Sequence, residues 1–240
     1  MEKKSSILIV AAIVAIAAAA GAYLYITRPL KAPSETASFT PPATQATGSP
    51  SEPAPSAETP QQTGVYRIVP EESQAEFNIF EELRGKPVTV VGVTNQVTGT
   101  ITADPSALSS AAISDIRINA RTLKTDSTQR DGAIGRIILE SEKDAYEYIT
   151  FKPTSIEGLP ESAAIGTAFN FKATGLLTIR DIGRQVTFTG TATFVSENEL
   201  TGNAQTVIPR ADFNLNIPDL PFLANLGKDV TLKVKITAKK

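Results

Sequence analysis

Apolar and polar residues alternate along most of the chain after residue 64, and this period of two is typical of β-strands with one buried face. The apolar members of the patterns are Ala75, Phe77 and Ile79; Ile116, Ile118 and Ala120; Ile149 and Phe151; Phe169 and Phe171; Val186 and Phe188; Phe213, Leu215 and Ile217; and Val230, Leu232, Val234 and Ile236. Gly and Pro separate many of the patterns, as expected of turns. Many short strands joined by turns predict an antiparallel sandwich or barrel in residues 65–240.

One stretch of this region has helical spacing instead. In TDSTQRDGAIGR, residues 125–136, either Asp126 or Ser127 is a suitable N-cap, because its side-chain oxygen accepts backbone N–H bonds. Apolar residues then recur at Ala133, Ile134, Ile137, Ile138 and Leu139. A helix with one apolar side, placed between two strands, is expected to plug or cover a β-structure.

The charged residues of the same stretch raise two chemical alternatives. An EF-hand loop needs Gly at its sixth position, but counting from Asp126 the fifth residue is Arg130 and the sixth is Asp131. Asp131 beside Arg130 suits a carboxylate with a shifted pKa, yet adjacent Asp and Arg more often form a structural pair. No nucleophile or base accompanies them, so we predict a structural role and no catalytic residue.

Residues 7–26, ILIVAAIVAIAAAAGAYLYI, form an apolar run without charge. Twenty residues of α-helix measure roughly 30 Å, the thickness of a bilayer core. Because Tyr23 and Tyr25 end the run as interfacial aromatic residues do, we predict that residues 1–27 are a single-pass membrane anchor. A cleaved signal peptide stays open as the alternative, since AAAAGA offers small residues at a cleavage site. Both interpretations place the folded domain outside the cytoplasm, in the periplasm or the extracellular space.

Residues 28–64 contain eight Pro among many Ser, Thr, Ala and Glu. Such a composition buries too little apolar surface to offset the ordering of the chain, so it predicts a disordered linker. A flexible coil of this length spans on the order of 35 Å. We therefore expect a tether between the anchor and a folded domain at 65–240.

Composition removes several classes of chemistry. The 240 residues include no Cys and no His, so a Ser-His-Asp or Cys-His triad and a zinc site built on thiolate or imidazole are impossible. Carboxylate or hydroxyl chemistry and Ca²⁺ or Mg²⁺ binding stay open. The net charge of −2 gives no indication of nucleic-acid binding. The acidic cluster Glu72, Glu76, Glu81 and Glu82 is expected to be a solvated edge rather than a cation site.

Five stretches, taken in order, carry a family likeness. They are YRIVPEESQAEFNIF at residues 66–80; VVGVTNQVTGTITAD at 90–104; INARTLKTDSTQRDGAIGRIILESEKDAYEYITF at 118–151; GLLTIRDIGRQVTFTGTATF at 175–194; and IPRADFNLNIPDLPFLANLGKDVTLKVKITA at 208–238. The third is the most specific: a strand, a T-x-x-x-x-R-D turn, a short helix and a Y-x-x-I-T-F strand. The fourth matches a hairpin written G-x-L-T-I-x-G-x-T-x-x-V.

The ordered set resembles the YceI family of exported, lipocalin-like proteins that bind polyisoprenoid lipids. The likeness covers essentially all of residues 65–240. Glu72 and Glu81 stand where family members often carry His, and Val replaces aromatic residues in the second stretch.

The resemblance implies an all-β, up-and-down antiparallel barrel of about eight strands, with one short helix at a mouth. It implies binding of an isoprenoid or similar long-chain lipid, for transport, storage or sequestration, without enzymatic activity, cofactor or metal. An apolar channel is sufficient for such a ligand, because each buried CH₂ contributes about 0.8 kcal/mol.

The candidate cavity residues are Phe77, Ile79, Ile116, Ile118, Ile134, Ile137, Ile138, Phe151, Phe171, Phe188 and Phe213. Any one aromatic residue among them is alternatively plain core, and the three Ile of the helix are predicted to form a lid. Arg130 is the candidate for contact with a polar or pyrophosphate head, because guanidinium matches phosphate geometry. Its alternative is a structural pair with Asp126 or Asp131.

Two other functions stay open on the sequence. One is a non-catalytic stress-related or structural domain of the cell envelope, with a filled core. The other is a hydrolase, which requires two acidic side chains facing each other in a cleft at roughly 5–10 Å.

Overall fold

The computed structural model describes residues 21, 23–25, 27–34, 64–83, 85–217 and 223–240, of which 223–224 are described by their backbone alone. Most of the predicted anchor and most of the predicted linker therefore lie outside the described residues. Within the described part of the chain, no helix is both long enough and apolar enough to cross a bilayer.

Thirteen strands make up most of the described chain. They are β1 Gly64–Ile68, β2 Gln74–Leu83, β3 Lys86–Thr94, β4 Val97–Thr98, β5 Thr100–Ala103, β6 Ala112–Ile113, β7 Ile116–Asn119, β8 Tyr148–Glu157, β9 Ala168–Ile179, β10 Ile182–Ser196, β11 Glu199–Pro209, β12 Leu223–Ala224 and β13 Asp229–Lys239. The count exceeds the predicted eight because the wall is broken by bends, which leave two-residue strands at β4, β6 and β12.

All pairings in the sheet are antiparallel, and the sheet curls round as a lipocalin-like fold does. Its order is β4-β7-β8-β9-β10-β11-β13-β1-β5-β6, while β2 pairs with β13, β3 and β12. β4 and β5, near the two ends of this order, are separated along the chain by Gly99 alone. A side chain at Gly99 would place its Cβ 2.6 Å from Cδ1 of Ile116, so glycine lets the two ends of the curl meet.

The most deeply buried large apolar side chains come from five strands and two 3₁₀-helices. They are Tyr66, Val97, Leu108, Leu177, Phe194, Ile208 and Phe213. In β2, β8, β9, β10 and β13, the apolar residues of the alternating pattern are buried or pack against the core, so the pattern marks the inner face of these strands correctly.

The predicted helix is present but is not uniform. An α-helix, Thr128–Ala133, is followed directly by a π-helix, Ile134–Ile138. Ser127 is the N-cap, and its Oγ accepts from the backbone N of Arg130 at 3.4 Å. The wider turn of the π-helix rotates the apolar residues away from a single side. Ile137 is consequently 37% exposed, while Ile134 and Ile138 pack against the core.

One predicted strand is wrong. Phe213, Leu215 and Ile217 alternate as a strand would, yet the structure has a 3₁₀-helix at Arg210–Phe213 and no strand at 214–217. Asn214 adopts a left-handed conformation with φ of 49°. Arg210 fixes the turn, because its guanidinium donates to the carbonyl oxygens of Leu215 at 3.2 Å and Gly227 at 3.1 Å.

Candidate functional site

The curled sheet surrounds a partly open cavity of about 180 Å³ whose wall is almost entirely apolar. The side chains of alternate residues on at least six strands contribute to it. Its aromatic and larger aliphatic lining includes Phe77, Ile101, Leu108, Ile113, Ile116, Ile118, Leu123, Ile149, Phe151, Ile156, Leu159, Phe169, Phe171, Leu177, Ile179, Phe188, Phe194, Leu200, Leu232, Val234 and Ile236.

A β-bulge keeps one strand directed at the cavity along its whole length. In β8, Ile149 and Phe151 line the cavity at odd positions, but the next lining residue is Ile156, at an even position. The pairing with β9 shifts between Pro153 and Ser155. The extra residue reverses the alternation, so that both halves of the strand present apolar side chains to the interior.

Glycine in the neighbouring strand makes this bulge possible. Gly175 occupies the inward phase of β9, between Ala173 and Leu177, and pairs with Pro153. A Cβ at Gly175 would lie 2.3 Å from the carbonyl oxygen of Lys152, so the bulged backbone approaches β9 where a side chain would otherwise stand.

Aromatic rings stabilise the wall by edge and offset contacts. The rings of Phe151 and Phe188 have centroids 4.9 Å apart and an interplanar angle of 67°. At the other end of β10, Phe194 lies 5.8 Å from Tyr66 and 5.9 Å from Phe169. Such pairs contribute about 0.5–1.5 kcal/mol beyond area burial.

Tyr66 is the one fully buried phenol in this aromatic group. Its Oη donates to the carbonyl oxygen of Glu197 at 3.0 Å. Burial, followed by the charges of Asp104 and Glu197, raises the pKa of Tyr66, so the group stays neutral. Its hydroxyl is thus satisfied by the protein and presents no charge to the interior.

Charged residues border the cavity at one place. Glu76 and Lys233, on the paired strands β2 and β13, form an ion pair of 3.1 Å. Hydrogen bonds from Asn78 and then from Lys233 lower the pKa of Glu76. Glu76 is the single acidic residue among those that line the cavity, so no pair of carboxylates faces across it in the described structure.

The structure places the predicted cavity residues in two groups. Six line the cavity: Phe77, Ile116, Ile118, Phe151, Phe171 and Phe188. The other five are absent from its lining: Ile79, Ile134, Ile137, Ile138 and Phe213. Ile79 and Phe213 are buried elsewhere in the core, and the helix that carries the three other Ile contributes no residue to the cavity wall.

Arg130 is engaged by protein carboxylates. Its Nη1 pairs with Asp126, and its Nη2 lies 3.1 Å from Oε1 of Glu81. Asp131 instead accepts hydrogen bonds from the backbone N and Oγ1 of Thr125, at 2.7 and 2.8 Å. The contacts made by Arg130 match the structural alternative that the sequence left open.

Several lining residues have no place among the sequence candidates, although alternation in the long strands is a signal for many of them. Phe169 shares the phase of Phe171 in β9, and Phe194 shares the phase of Phe188 in β10. Leu108, Leu123 and Leu159 lie outside the long strands, so no periodicity marks them. Among the residues whose placement is described, no group of three or more carboxylates could hold a metal ion.

A model of the YceI-like domain family matches residues 66–238. Of two solved structures with a TM-score of 0.55, BcnA of Burkholderia cenocepacia has 17% identity, covering 72% of this chain and 99% of its own. The other, a polyisoprenoid binding domain from Saccharophagus degradans implicated in plant cell wall breakdown, has 12% identity, covering 74% of this chain and 99% of its own. No curated protein matches the chain in sequence. At these identities, the two structures show a shared fold.

Proposed function

The chain belongs to the YceI-like domain family, and on this premise we propose that its folded domain binds an isoprenoid or similar long-chain lipid. The observation that carries the proposal is the apolar wall of the cavity, which offers almost no hydrogen-bond partner to a polar ligand. Polyisoprenoid binding by the Saccharophagus degradans domain supports the same class of ligand.

The size of the cavity limits what it holds in the described shape. Its volume of about 180 Å³ is close to that of a cavity of about 150 Å³ that admits benzene, and below the roughly 300–1,000 Å³ of typical ligand pockets. It therefore takes about one five-carbon isoprene unit, by comparison with the six carbons of benzene.

A guest that exceeds this volume needs more room inside the sheet, which separation of the wall would supply. We place the opening at the β4–β7 or the β1–β13 contact, because each is formed by two residue pairs, whereas β9 and β10 share twelve. Each further CH₂ of the lipid that is buried in the barrel contributes about 0.8 kcal/mol of binding free energy, which offsets the cost of separating these short contacts.

The location of the domain is part of the proposal. Residues 1–27 tether it to a membrane as an uncleaved single-pass anchor, with the folded domain on the extracytoplasmic side. The charge-free apolar run at residues 7–26 supports this arrangement. Cleavage of that run would instead release a periplasmic or secreted domain.

Native mass spectrometry of the full chain, purified in mild detergent from its host, tests both parts. We expect the mass to include residues 1–27 and a co-purifying lipid, which extraction would then identify. A chain that carries no lipid, and takes up none from added isoprenoid alcohols of increasing length, would favour the filled structural domain and end the binding proposal.

Variants then locate the site. Phe171→Asp and Phe188→Asp place a charge on the cavity wall and are expected to lower lipid occupancy at least tenfold. Phe80→Asp is the matched control, because Phe80 is 46% exposed and is absent from the cavity lining. Equal occupancy in the wall variants and in the control would show that lipid binds elsewhere.

A further inference from the structure

Residues 28–34, which follow the apolar N-terminal run, lie against the folded domain. Nη2 of Arg28 is 2.7 Å from Oε2 of Glu142, and Lys31 pairs with Asp144. The backbone N of Ser34 donates to Oε1 of Glu147 at 2.7 Å, and its Oγ donates to the other oxygen of the same carboxylate. Contacts thus run from the first to the last residue of this segment.

The surface that receives the segment combines three buried charged side chains with two more exposed carboxylates. We call Arg121, Arg136, Glu142, Asp144 and Glu147 the cradle. The side chains of Arg121 and Glu147 are 1% and 2% exposed, and their Nη1 and Oε2 atoms are 2.8 Å apart. Arg136 has a side chain with no exposed area, and its Nε is 3.2 Å from Oε1 of Glu142.

The cradle contacts the backbone of the segment as well as its side chains. Arg121 donates through Nη1 to the carbonyl oxygen of Ala32 at 3.3 Å and to Oγ of Ser34 at 3.4 Å. Arg136 donates through Nη2 to the carbonyl oxygen of Arg28. Buried guanidinium groups aimed at main-chain carbonyls hold a peptide in a defined register, because each donor has a fixed direction.

An apolar contact lies at the middle of the segment. Leu30 is its one half-buried residue, and it packs over Gly135 in the π-helix. A Cβ at Gly135 would lie 2.7 Å from Cδ2 of Leu30. The missing side chain of Gly135 therefore provides the space that Leu30 occupies.

We infer that residues 28–34 are a docking strap, and that the cradle is an intramolecular binding site for it. Residues 35–63 then connect the docked strap to β1 of the same domain. The distance between the domain and the apolar run is therefore set by the docked strap and not by the length of residues 35–63. The strap follows directly from the last helical turn of the apolar run, because the backbone N of Arg28 donates to the carbonyl oxygen of Leu24 at 3.1 Å. On the proposed membrane anchoring, the strap places the domain at the bilayer surface with the cradle side nearest to it.

Trypsin tests docking in the full chain without reference to lipid or membrane. Lys31 is the single Lys or Arg between Pro29 and Tyr66, and the bond after Arg28 is blocked by Pro29. Cleavage after Lys31 requires the strap to leave the cradle, because a protease needs several residues in extended form. Ser34→Ala, which removes one hydroxyl of the strap, is expected to raise the cleavage rate about tenfold, the effect of losing a hydrogen bond to a charged group.

Gly135→Ala is a second test, in which helix propensity and strap docking predict different results. Alanine favours a helix over glycine, so the substitution does not weaken the helix by propensity. If the strap is not docked, cleavage after Lys31 is expected to stay unchanged. If Leu30 is docked on Gly135, the added methyl group displaces it and cleavage is expected to become faster. Thr27→Ala is the control, since the hydroxyl of Thr27 donates to the carbonyl oxygen of Tyr23 within its own turn. Wild-type cleavage rates in both Ser34→Ala and Gly135→Ala would overturn the strap.

A second experiment tests the placement of the domain at the membrane. Because the chain contains no Cys, one introduced Cys carries the only label. A fluorophore at Ala145→Cys lies beside the cradle, and one at Glu157→Cys lies at the far end of β8, about 30 Å along the strand. In nanodiscs with quencher lipids, we expect strong quenching at residue 145 and weak quenching at 157, and Ser34→Ala should reduce the difference. If quenching is equal at residues 145 and 157 while the bond after Lys31 still resists trypsin, the strap is docked but the proposed placement at the membrane is wrong.

Discussion

The interior of the curled sheet and the cradle are two binding surfaces on one domain, and they use opposite physics. The interior is apolar, leaves a void of about 180 Å³ and presents almost no polar group. The cradle is filled by residues 28–34, and every charged group in it faces an opposite charge. The first selects a guest by apolar area, and the second selects a peptide by position and direction.

The difference predicts how each surface responds to change. Apolar stabilisation is roughly proportional to area and has no direction, so loss of one wall residue is expected to have a graded effect. A buried ion pair has a large desolvation term that is balanced only while both partners are present. Cradle variants are therefore expected to be more severe than wall variants of similar size.

The largest effect is expected at Arg121. Arg121→Met leaves Glu147 buried without its cation, which costs about 3–5 kcal/mol of unfolding free energy. Chemical denaturation of the full chain in detergent measures it. The double variant Arg121→Met/Glu147→Leu removes both charges and is expected to recover most of the loss. A single variant within about 0.5 kcal/mol of wild type, as for an ordinary surface change, would contradict the cradle as described.

A smaller effect is expected at the bulge in the cavity wall. Gly175→Ala forces a Cβ against the backbone of β8 and should lower the unfolding free energy by about 1–3 kcal/mol. Gly202→Ala is the matched control in β11, because its Cβ would meet no atom nearer than 3.5 Å. Equal stability of the two variants would mean that β8 does not approach β9 at residue 175.

The smallest effect is a release of the strap in acid. Burial alone raises the pKa of Glu147, but hydrogen bonds from Ser34 and Asn119 and the charge of Arg121 outweigh it and hold this pKa below its ordinary value. Hydrogen bonds from Lys31 and then Arg121 hold the pKa of Asp144 below its ordinary value. A carboxylate whose pKa is lowered by docking stabilises the docked form fully at pH values above its ordinary pKa. This stabilisation is lost as the pH falls through the lowered pKa of the docked form.

Distances between spin labels at Ala32→Cys and Glu157→Cys report that release. We expect one narrow distance from pH 7 to about pH 5, and broadening below about pH 4 as both carboxylates gain protons. Ser34→Ala should shift the broadening to higher pH. A distance that stays narrow well below pH 3, in a domain that is still folded, would show that the carboxylates do not hold the strap.

The sequence could predict the strands whose two faces have different surroundings. β2, β9, β10 and β13 alternate because one face meets the interior and the other meets water. The same logic predicted six residues that line the cavity, from Phe77 to Phe188. It gave a wrong strand at 213–217, because the turn there depends on Arg210 and on its distant acceptor, the carbonyl oxygen of Gly227.

What the sequence determined by itself was local or periodic: most of the strands, a helix start at Asp126 or Ser127, the apolar run and the family likeness. The tertiary structure alone decided which apolar faces surround a void, since volume depends on how bulges and glycines bring strands together. It also decided the partners of Arg121 and Glu147. Residues 28–34 have no periodicity and the composition of a linker, and they meet the cradle about a hundred residues away in sequence, where only the folded chain brings the charges together.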